Sequence, residues 1–311
     1  MLMWFDENYR RFVDTRDLPV VVVGSGGRLG SVLTGQLSKR HRVIPLDRSD
    51  LDLADEDSIR RVLGAIDYGW LFLTAALTDV DYCETHPREA YVINAEAAGI
   101  VAEVSAKKCA HVTYLSTDMV FDGSNAVPYR ETDPPLPICV YGHTKHDGER
   151  RVLAASEGNL VTRVSWLFGP SRPGFPEWIV RQAATCECPT LPEDKFARPT
   201  YTVDLVEWLE ALVFGNDEGP ASGVVHLCND GTCSWKEWGE ACVDMARVRG
   251  MKNLATKIRG ISLAEVGAFV ASRPLNSDMY TGKFSNLTGI RPRPWSEALR
   301  HFVIQGDAFR A

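Results

Sequence analysis

Nowhere does this chain approach the ~20 consecutive apolar residues that a membrane-crossing helix needs, so no bilayer segment is expected. There is no surplus of basic residues either. Lys and Arg number 34 against 41 Asp and Glu, a formal charge of −7, which argues against nucleic acid as a partner because phosphate contacts need excess cations. A nucleotide held by a few local donors is not excluded. The beginning of the chain lacks the apolar core of a signal peptide, since residues 1–18 carry Asp6, Glu7, Arg10, Arg11, Asp14, Arg16 and Asp17. The spacing of Trp4, Phe5, Tyr9, Phe12 and Val13 instead predicts a short amphipathic helix packed on the body of the protein. The eight cysteines have no zinc-ribbon or zinc-finger spacing, and Cys186-Glu187-Cys188 has no second pair nearby. They read as reduced thiols, the expected compartment is the cytoplasm, and no metal is expected. Internal repeats and low-complexity tracts are missing as well.

What is present is a chain of 311 residues, 45% of them hydrophobic, enough to bury a core without disulfides or metals. Apolar strand-like runs at Val20–Val23, Val43–Leu46, Trp70–Leu73, 111–115 and Leu160–Val164 alternate with helical patterns. The first of these helical patterns follows the Gly24–Gly30 stretch and runs through Leu37, and the others cover 57–63, 87–108 and 141–155. Such alternation predicts an α/β fold: a Rossmann-type, doubly wound parallel sheet with helices on both faces. After Trp166 the alternation weakens, and Pro170, Pro173, Pro176, Pro189 and Pro192 punctuate an irregular segment. Helices are expected at 203–214, at Trp235–Val248, where Ser234 and Glu237 form a capping box, and at 295–304, with a short strand at 224–227. The expected organisation is an extension at 1–18, a nucleotide-binding domain at 19–166, and a smaller, mainly substrate-binding part at 167–311, with the ligand in the cleft between them.

Gly24, Gly27 and Gly30 form G-x-x-G-x-x-G directly between a strand and a helix. Glycine allows the tight turn and the close approach of backbone to a pyrophosphate. The helix start at Arg28 and Leu29 then offers free N–H groups and a positive dipole end. The second strand runs into Asp47-Arg48. An acidic residue there can accept from ribose hydroxyls and favours NAD, whereas an arginine can pair with a 2′-phosphate and favours NADP. With Arg28 as a second cation, the balance tips slightly to NADP(H), with NAD(H) also accommodated. Asp52 and Leu53 lie at the next turn, within reach of an adenine edge.

Tyr141 and Lys145 stand four residues apart, on one face of a predicted helix. A neighbouring ammonium is expected to lower the phenol pKa, so that Tyr141 can hand its proton to a carbonyl oxygen as hydride reaches the carbon. A hydroxyl from Ser116-Thr117-Asp118, at the end of the fourth strand, can hydrogen-bond the same oxygen.

Together the glycine loop, Ser116-Thr117-Asp118 and Tyr141-x-x-x-Lys145 resemble the extended short-chain dehydrogenase/reductase superfamily. Longer stretches are similar to the dTDP-4-dehydrorhamnose reductase family: Ala75-Ala76-Leu77-Thr78-Asp79-Val80-Asp81, Val92-Ile93-Asn94-Ala95-Glu96, Ser116 through Gly123, Tyr141 through Lys145, Val164 through Gly169, Arg198 through Tyr201 and Arg273 through Ser277. The resemblance implies reduction of the 4-keto group of a dTDP-linked 6-deoxyhexose by NAD(P)H, giving dTDP-L-rhamnose. It implies that Thr117 and Tyr141 hold the keto oxygen, that Lys145 supports Tyr141 and the nicotinamide ribose, and that Asp118 lies beside the sugar. Ala75 and Ala76 belong by resemblance to the cofactor side, and Asn94 to a proton relay. Thr78, Val80, Met119 and Trp166 would line the sugar site, with Arg273 and Asn276 on the substrate side of the cleft.

The sequence departs from that family at Leu77 and Met119, where tyrosine is usual, which leaves the exact sugar open. Gly174-Phe175-Pro176 replaces the usual Asn-Phe opening of the next helix. Val32 stands where some members carry a glutamate of a metal-linked dimer, so no such metal is expected. A homodimer is left open. Two other readings compete. One is a non-catalytic regulatory protein like the beta subunit of methionine adenosyltransferase. The other is an epimerase or dehydratase that returns the hydride, although Met119 after Asp118 removes the second carboxyl that dehydration uses.

Overall fold

The computed structural model describes residues 18–215, 219–305 and 309. The helix expected over 1–18 therefore lies, but for its last residue, outside the described residues. Six parallel strands form the central sheet: β1 (Val20–Val23), β2 (Val43–Leu46), β3 (Trp70–Leu73), β4 (His111–Thr117), β5 (Leu160–Val164) and β6 (Gly223–His226). Their order across the sheet is β6-β5-β4-β3-β1-β2. Strands covered on both faces read as unbroken apolar runs, and β1 is such a run, with none of its four valines more than 2% exposed. Val20 and Val22 point into one core cluster, Val21 and Val23 into the other.

Helices α1 (Arg28–Leu37) and α8 (Thr202–Phe214) cover one face through Leu29, Leu33, Leu205 and Leu209. Helices α2 (Glu56–Gly64) and α5 (Ala97–Lys107) cover the other through Ile59, Leu63, Val101 and Ala102. The chain leaves β1 towards β2 on one side and returns to β3 on the other. Above this point the connections diverge and open a crevice at the strands' carboxyl ends, the usual ligand position in such sheets.

Three features differ from the expectation. The stretch 87–108 is not one helix but α4 (Pro87–Tyr91), a π-turn at Val92–Glu96, and α5. It is preceded by a short helix α3 (Val80–Thr85), whose N-terminus is capped by Asp79 accepting from the Tyr82 N–H at 3.0 Å. Next, β4 continues to Thr117. Lastly, the proline-rich segment contains α7 (Phe175–Thr185). Pro176 falls in the first turn of α7, where its missing N–H costs no helical bond, and the Gly174 N–H donates to Glu177 at 2.8 Å. The prolines here punctuate the start of a helix rather than forbid one.

In the C-terminal part, α7, α9 (Trp235–Val248) and α11 (Trp295–Gln305) share one core around Ile179, Val180, Trp238, Cys242 and Phe302. The capping box of α9 is present: Glu237 N–H donates to Ser234 Oγ at 3.1 Å, and Ser234 N–H donates to Glu237 at 2.7 Å. Two elements of this part, α8 and β6, lie on the nucleotide sheet, β6 pairing with β5. Short two-stranded pieces, such as Phe196–Ala197 against Cys233–Ser234, hold the rest together.

Candidate active site

The glycine loop stands at the switch point of the sheet. Gly24 has φ +89°, and a β-carbon on it would come within 2.7 Å of the Ala75 backbone at the end of β3. A β-carbon on Gly30 would lie 2.0 Å from the Gly24 carbonyl. Both glycines are thus required for β1, the loop and α1 to pack this closely. The loop is fixed to the end of β2 by Gly24 and Ser25 N–H groups donating to Leu46 at 2.8 and 3.1 Å. Gly27 is the N-cap of α1, its carbonyl accepting from the Ser31 N–H at 3.0 Å, and the N–H groups of the first turn, Arg28-Leu29-Gly30, have no partner within the helix. This cradle fits a dinucleotide pyrophosphate.

The residues expected to read the rest of a cofactor surround it unevenly. Asp47 is exposed, and its Oδ1 accepts from the Ser49 N–H at 2.7 Å and the Ser49 hydroxyl at 2.6 Å, bonds that hold its carboxyl below the usual range. Arg48 is exposed beside it. Arg28 reaches the other way: its guanidinium donates to the carbonyls of Arg172 and Pro173 at 2.7 and 2.9 Å, tying α1 to the loop before α7. Asp52 accepts from the Ala54 N–H at 3.0 Å, and Leu53 is buried. Ala75 and Ala76 line the crevice after β3, half-buried.

Tyr141, Lys145 and Glu149 follow one another at four-residue spacing on α6 (Val140–Ala155), facing β4. The helix start is pressed onto the 117–120 turn, since a β-carbon at Gly142 would meet the Met119 carbonyl at 2.2 Å. Thr117 is the polar side chain whose proximity favours ionisation of the Tyr141 phenol. The Thr117 hydroxyl donates to Asp118 at 3.0 Å and accepts from the Met119 N–H at 3.2 Å. Asp118 is buried and accepts from two further hydroxyls, Ser165 at 3.1 Å and Ser277 at 2.5 Å.

The electrostatics correct one expectation. Burial raises the Tyr141 pKa well above that of an ordinary phenol, the nearby Thr117 opposing it and the Asp118 charge adding to it. Burial also lowers Lys145, to about 7, with Glu149 and Cys83 pulling it back up. In the protein alone, desolvation outweighs the ammonium effect, so Tyr141 stays a protonated acid. That is the form a proton donor needs.

The sugar side takes shape around Tyr141. Val80, Met119, Leu77 and Ala271 share an apolar cluster with it, so residues from three chain regions meet at the phenol. Thr78 is exposed at the rim. Trp166 stacks on Trp238 with ring centres 5.4 Å apart and has φ +41°. For so bulky a residue this backbone costs on the order of 1–3 kcal/mol and is characteristic of a constrained functional site. Arg273 is not free in the cleft. It forms a two-pronged pair with Asp81 at 3.0 and 2.7 Å and lies 3.7 Å from the Phe269 ring centre, linking the C-terminal part to α3. Asn276 donates to the Asn125 carbonyl at 2.7 Å and accepts from the Asp278 N–H at 3.1 Å. Asn94 grips the Leu77 backbone, accepting from its N–H at 2.9 Å and donating to its carbonyl at 3.0 Å, and also donates to Thr144 at 3.2 Å.

Sequence reasoning did not single out Ser165, Ser277, Lys195 or Tyr114. Ser277 lies inside the Arg273-to-Ser277 motif, and Ser165 precedes Trp166, so both were within reach. Lys195 carried no signal in the sequence. It is 1% exposed, donates to the Pro274 carbonyl at 2.6 Å, and sits 5.8 and 5.9 Å from the Trp166 and Trp235 ring centres. Burial lowers its pKa to about 8, while Asp118 opposes the shift.

Comparison with known proteins identifies the family. The family described as "RmlD substrate binding domain" matches residues 18–307. The spore coat polysaccharide biosynthesis protein SpsK of Bacillus subtilis is 33% identical, over 91% of this chain and 96% of that protein. The dTDP-4-dehydrorhamnose reductase of Aggregatibacter actinomycetemcomitans is 30% identical, over 91% of this chain and 97% of its own length. Among solved structures, dTDP-4-dehydrorhamnose reductase of Bacillus anthracis in complex with NADP superimposes with a TM-score of 0.85 at 30% identity, covering 93% of this chain and 99% of that one.

Proposed function

This chain belongs to the RmlD substrate binding domain family, and from that premise we propose that it is an NAD(P)H-dependent reductase acting on the 4-keto group of a dTDP-linked 6-deoxyhexose, dTDP-4-dehydro-L-rhamnose, with dTDP-L-rhamnose as product. NADP(H) is the preferred cofactor and NAD(H) the second. The observation that carries the reading is the convergence of Tyr141, Thr117 and Lys145 on one buried surface, next to the apolar cluster of Val80 and Met119 and at the same carboxyl-end edge of the sheet as the glycine loop.

The reduced nicotinamide, when bound, supplies the hydride that reaches the sugar's C4. Gly24, Gly27 and Gly30 admit the pyrophosphate, and the N–H groups at the start of α1 hold it. Tyr141 donates its proton to the C4 oxygen, which becomes the product hydroxyl. With substrate in place, the Thr117 hydroxyl turns its one proton from Asp118 to that same oxygen as a second hydrogen bond. Lys145 places positive charge one turn from the phenol, where it favours the phenolate left behind. Before substrate binds, Asp118, fixed by Thr117, Ser165 and Ser277, keeps the Thr117 hydroxyl oriented. Asn94 fixes the Leu77 segment through its backbone. Trp166, and Arg273 through its pair with Asp81, shape the far wall.

The regulatory-subunit and hydride-returning readings draw less support. Thr117, Tyr141 and Lys145 are intact and assembled, and Met119 gives no second carboxyl beside Asp118.

The test is oxidation of NADPH and NADH, followed by absorbance, with the ketosugar nucleotide generated in place. Substrate-dependent oxidation is expected, and Tyr141→Phe should cut turnover ~10²-fold or more, the usual contribution of a positioned acid, while cofactor binding is unchanged. Bound cofactor without oxidation, or near-normal turnover in Tyr141→Phe, would overturn the assignment.

A further inference from the structure

The π-turn at Val92–Glu96 bears on the catalytic lysine through a residue that the reaction scheme does not use. Widening of a helix at such a turn frees backbone groups from the regular ladder. The Asn94 carbonyl there accepts the Tyr114 hydroxyl at 2.7 Å. Tyr114 comes from the middle of β4 and is 1% exposed. Its hydroxyl fits only because residue 148 is glycine: a β-carbon there would come within 2.3 Å of the Asn94 carbonyl and 2.5 Å of the Tyr114 hydroxyl. The ring is thus pinned at its far end, and Lys145 Nζ lies 3.8 Å from its centre.

Other groups face this ammonium. On its own helix Tyr141 stands one turn before it and Glu149 one turn after, and Cys83 approaches from α3. Glu149 is already committed, accepting from Arg163 at 2.8 and 2.7 Å, from Ser116 at 2.5 Å and from His146 at 3.2 Å. Much of its charge is answered by Arg163, so it acts on Lys145 at a distance. The aromatic face is in direct contact, and a ring face attracts a cation most strongly where water is excluded.

We propose that Tyr114 is a positioning residue for the reaction: its ring face holds the Lys145 ammonium in place, and its hydroxyl, anchored on the Asn94 carbonyl, fixes the ring. Lys145, brought close to neutrality by burial, depends on every contact that favours its charged form. The kinetic consequence rests on the reductase reading, but the effect on Lys145 itself does not.

The test keeps the ring's shape and varies its charge. Tyr114→Phe, and counterparts carrying mono- and trifluorinated phenylalanine at the same position, are compared with the parent protein. Fluorine withdraws negative potential from the ring face. Lys145 is followed by NMR of protein labelled in its lysine side chains, its signal assigned through Lys145→Arg. Its proton affinity should fall stepwise along the fluorine series, by about tenfold in total, the size of a buried cation–π contact. In ketosugar turnover, kcat should fall along the series, with its limb on the pH profile moving with the titration, while KM for the sugar stays constant. Tyr114→Phe alone should retain most activity, because it keeps the ring. A Lys145 titration unchanged along the series would overturn the proposal and leave Tyr114 as packing. Should the parent protein fail to reduce any ketosugar, the reductase reading falls, and the NMR series still decides the proposal.

Discussion

The two walls of the cleft solve the same problem by different means. The nucleotide-side wall is made of α6 and β4, regular elements whose polar groups meet side chain to side chain: Glu149 with Arg163 and Ser116, Lys145 on Tyr114, Thr117 with Asp118. The opposite wall is irregular chain, stitched mainly through the backbone. Lys195 donates to the Pro274 carbonyl, the Phe196 N–H donates to the Leu275 carbonyl, the Phe196 carbonyl accepts from the Ser277 N–H, and Arg273 grips Asp81 together with the Val270 and Ala271 N–H groups. A regular scaffold sets distances for chemistry. An irregular one sets a shape, and here it touches the proton-donor site at two points, Ser277 on Asp118 and Ala271 in the cluster of Tyr141.

Removing one ion pair from each wall is the strongest test of that contrast. Glu149 and Arg163 are 2% and 3% exposed and 2.7 Å apart. Glu149→Ala should cost about 3–5 kcal/mol, because Arg163 is left buried without a counter-charge. Arg273→Met should cost about 1 kcal/mol or less, since Asp81 is 30% exposed and keeps its two backbone donors. Urea unfolding measures both, and equal losses would show that the walls are not energetically distinct. The Glu149 carboxyl gives an acid signature as well. Burial would raise its pKa, but Arg163, His146 and Ser116 hold it down to about 2. Its contribution is therefore present above the ordinary carboxylate range and is lost as pH falls towards 2.

The two buried lysines, one in each wall, sharpen the comparison on the alkaline side. Burial lowers Lys145 to about 7 and Lys195 to about 8. An unfolded lysine keeps its proton until ~10.4, so between these values the unfolded chain binds more protons and stability rises with pH. The buried thiols Cys83, Cys139, Cys228, Cys233 and Cys242, all raised by burial, outnumber the two lysines and reverse the trend once ordinary thiols begin to ionise, at about 8.5. Stability should therefore climb from about pH 7 to 8.5, by about 1–2 kcal/mol through Lys145 and less than about 1 kcal/mol through Lys195. Lys145→Met should remove the larger share of that rise in thermal or urea unfolding, and Lys195→Met the smaller. If the rise survives both substitutions, some other group titrates.

The same contrast explains what could be read in the sequence. β1 and β3 were legible at once because their residues are buried on both faces and form uninterrupted apolar runs, Val20–Val23 and Trp70–Leu73. Tyr141 and Lys145 were legible because a helix converts a spacing of four into a shared face. The irregular wall has no period to read. Proline there suggested a broken chain, yet Pro176 opens α7. Lys195 carried no signal in the sequence and is fully buried. Even on the regular wall, spacing carried the geometry and not the electrostatics: an ammonium four residues from a phenol suggested a lowered Tyr141 pKa, and burial reversed the sign.

Arg28 and Arg48 give the smallest effect and the finest discrimination, because one of them bridges the walls and the other does not. Both are candidates for a 2′-phosphate. Arg28 is occupied by the carbonyls of Arg172 and Pro173, whereas Arg48 is exposed next to Asp47, whose carboxylate is turned onto Ser49. The geometry favours Arg48 as the phosphate partner. Its replacement by alanine should raise KM for NADPH about 3–10-fold and leave NADH unchanged, a tenfold change being about 1.4 kcal/mol, slightly beyond what an exposed charge pair usually gives. Arg28→Ala should weaken both cofactors alike, because it loosens the loop before α7 from the glycine cradle and does not remove a phosphate contact. A selective loss of NADPH in Arg28→Ala would reverse the assignment: the bridge between the walls would then be one that the 2′-phosphate breaks, and the irregular wall would respond to which cofactor is bound.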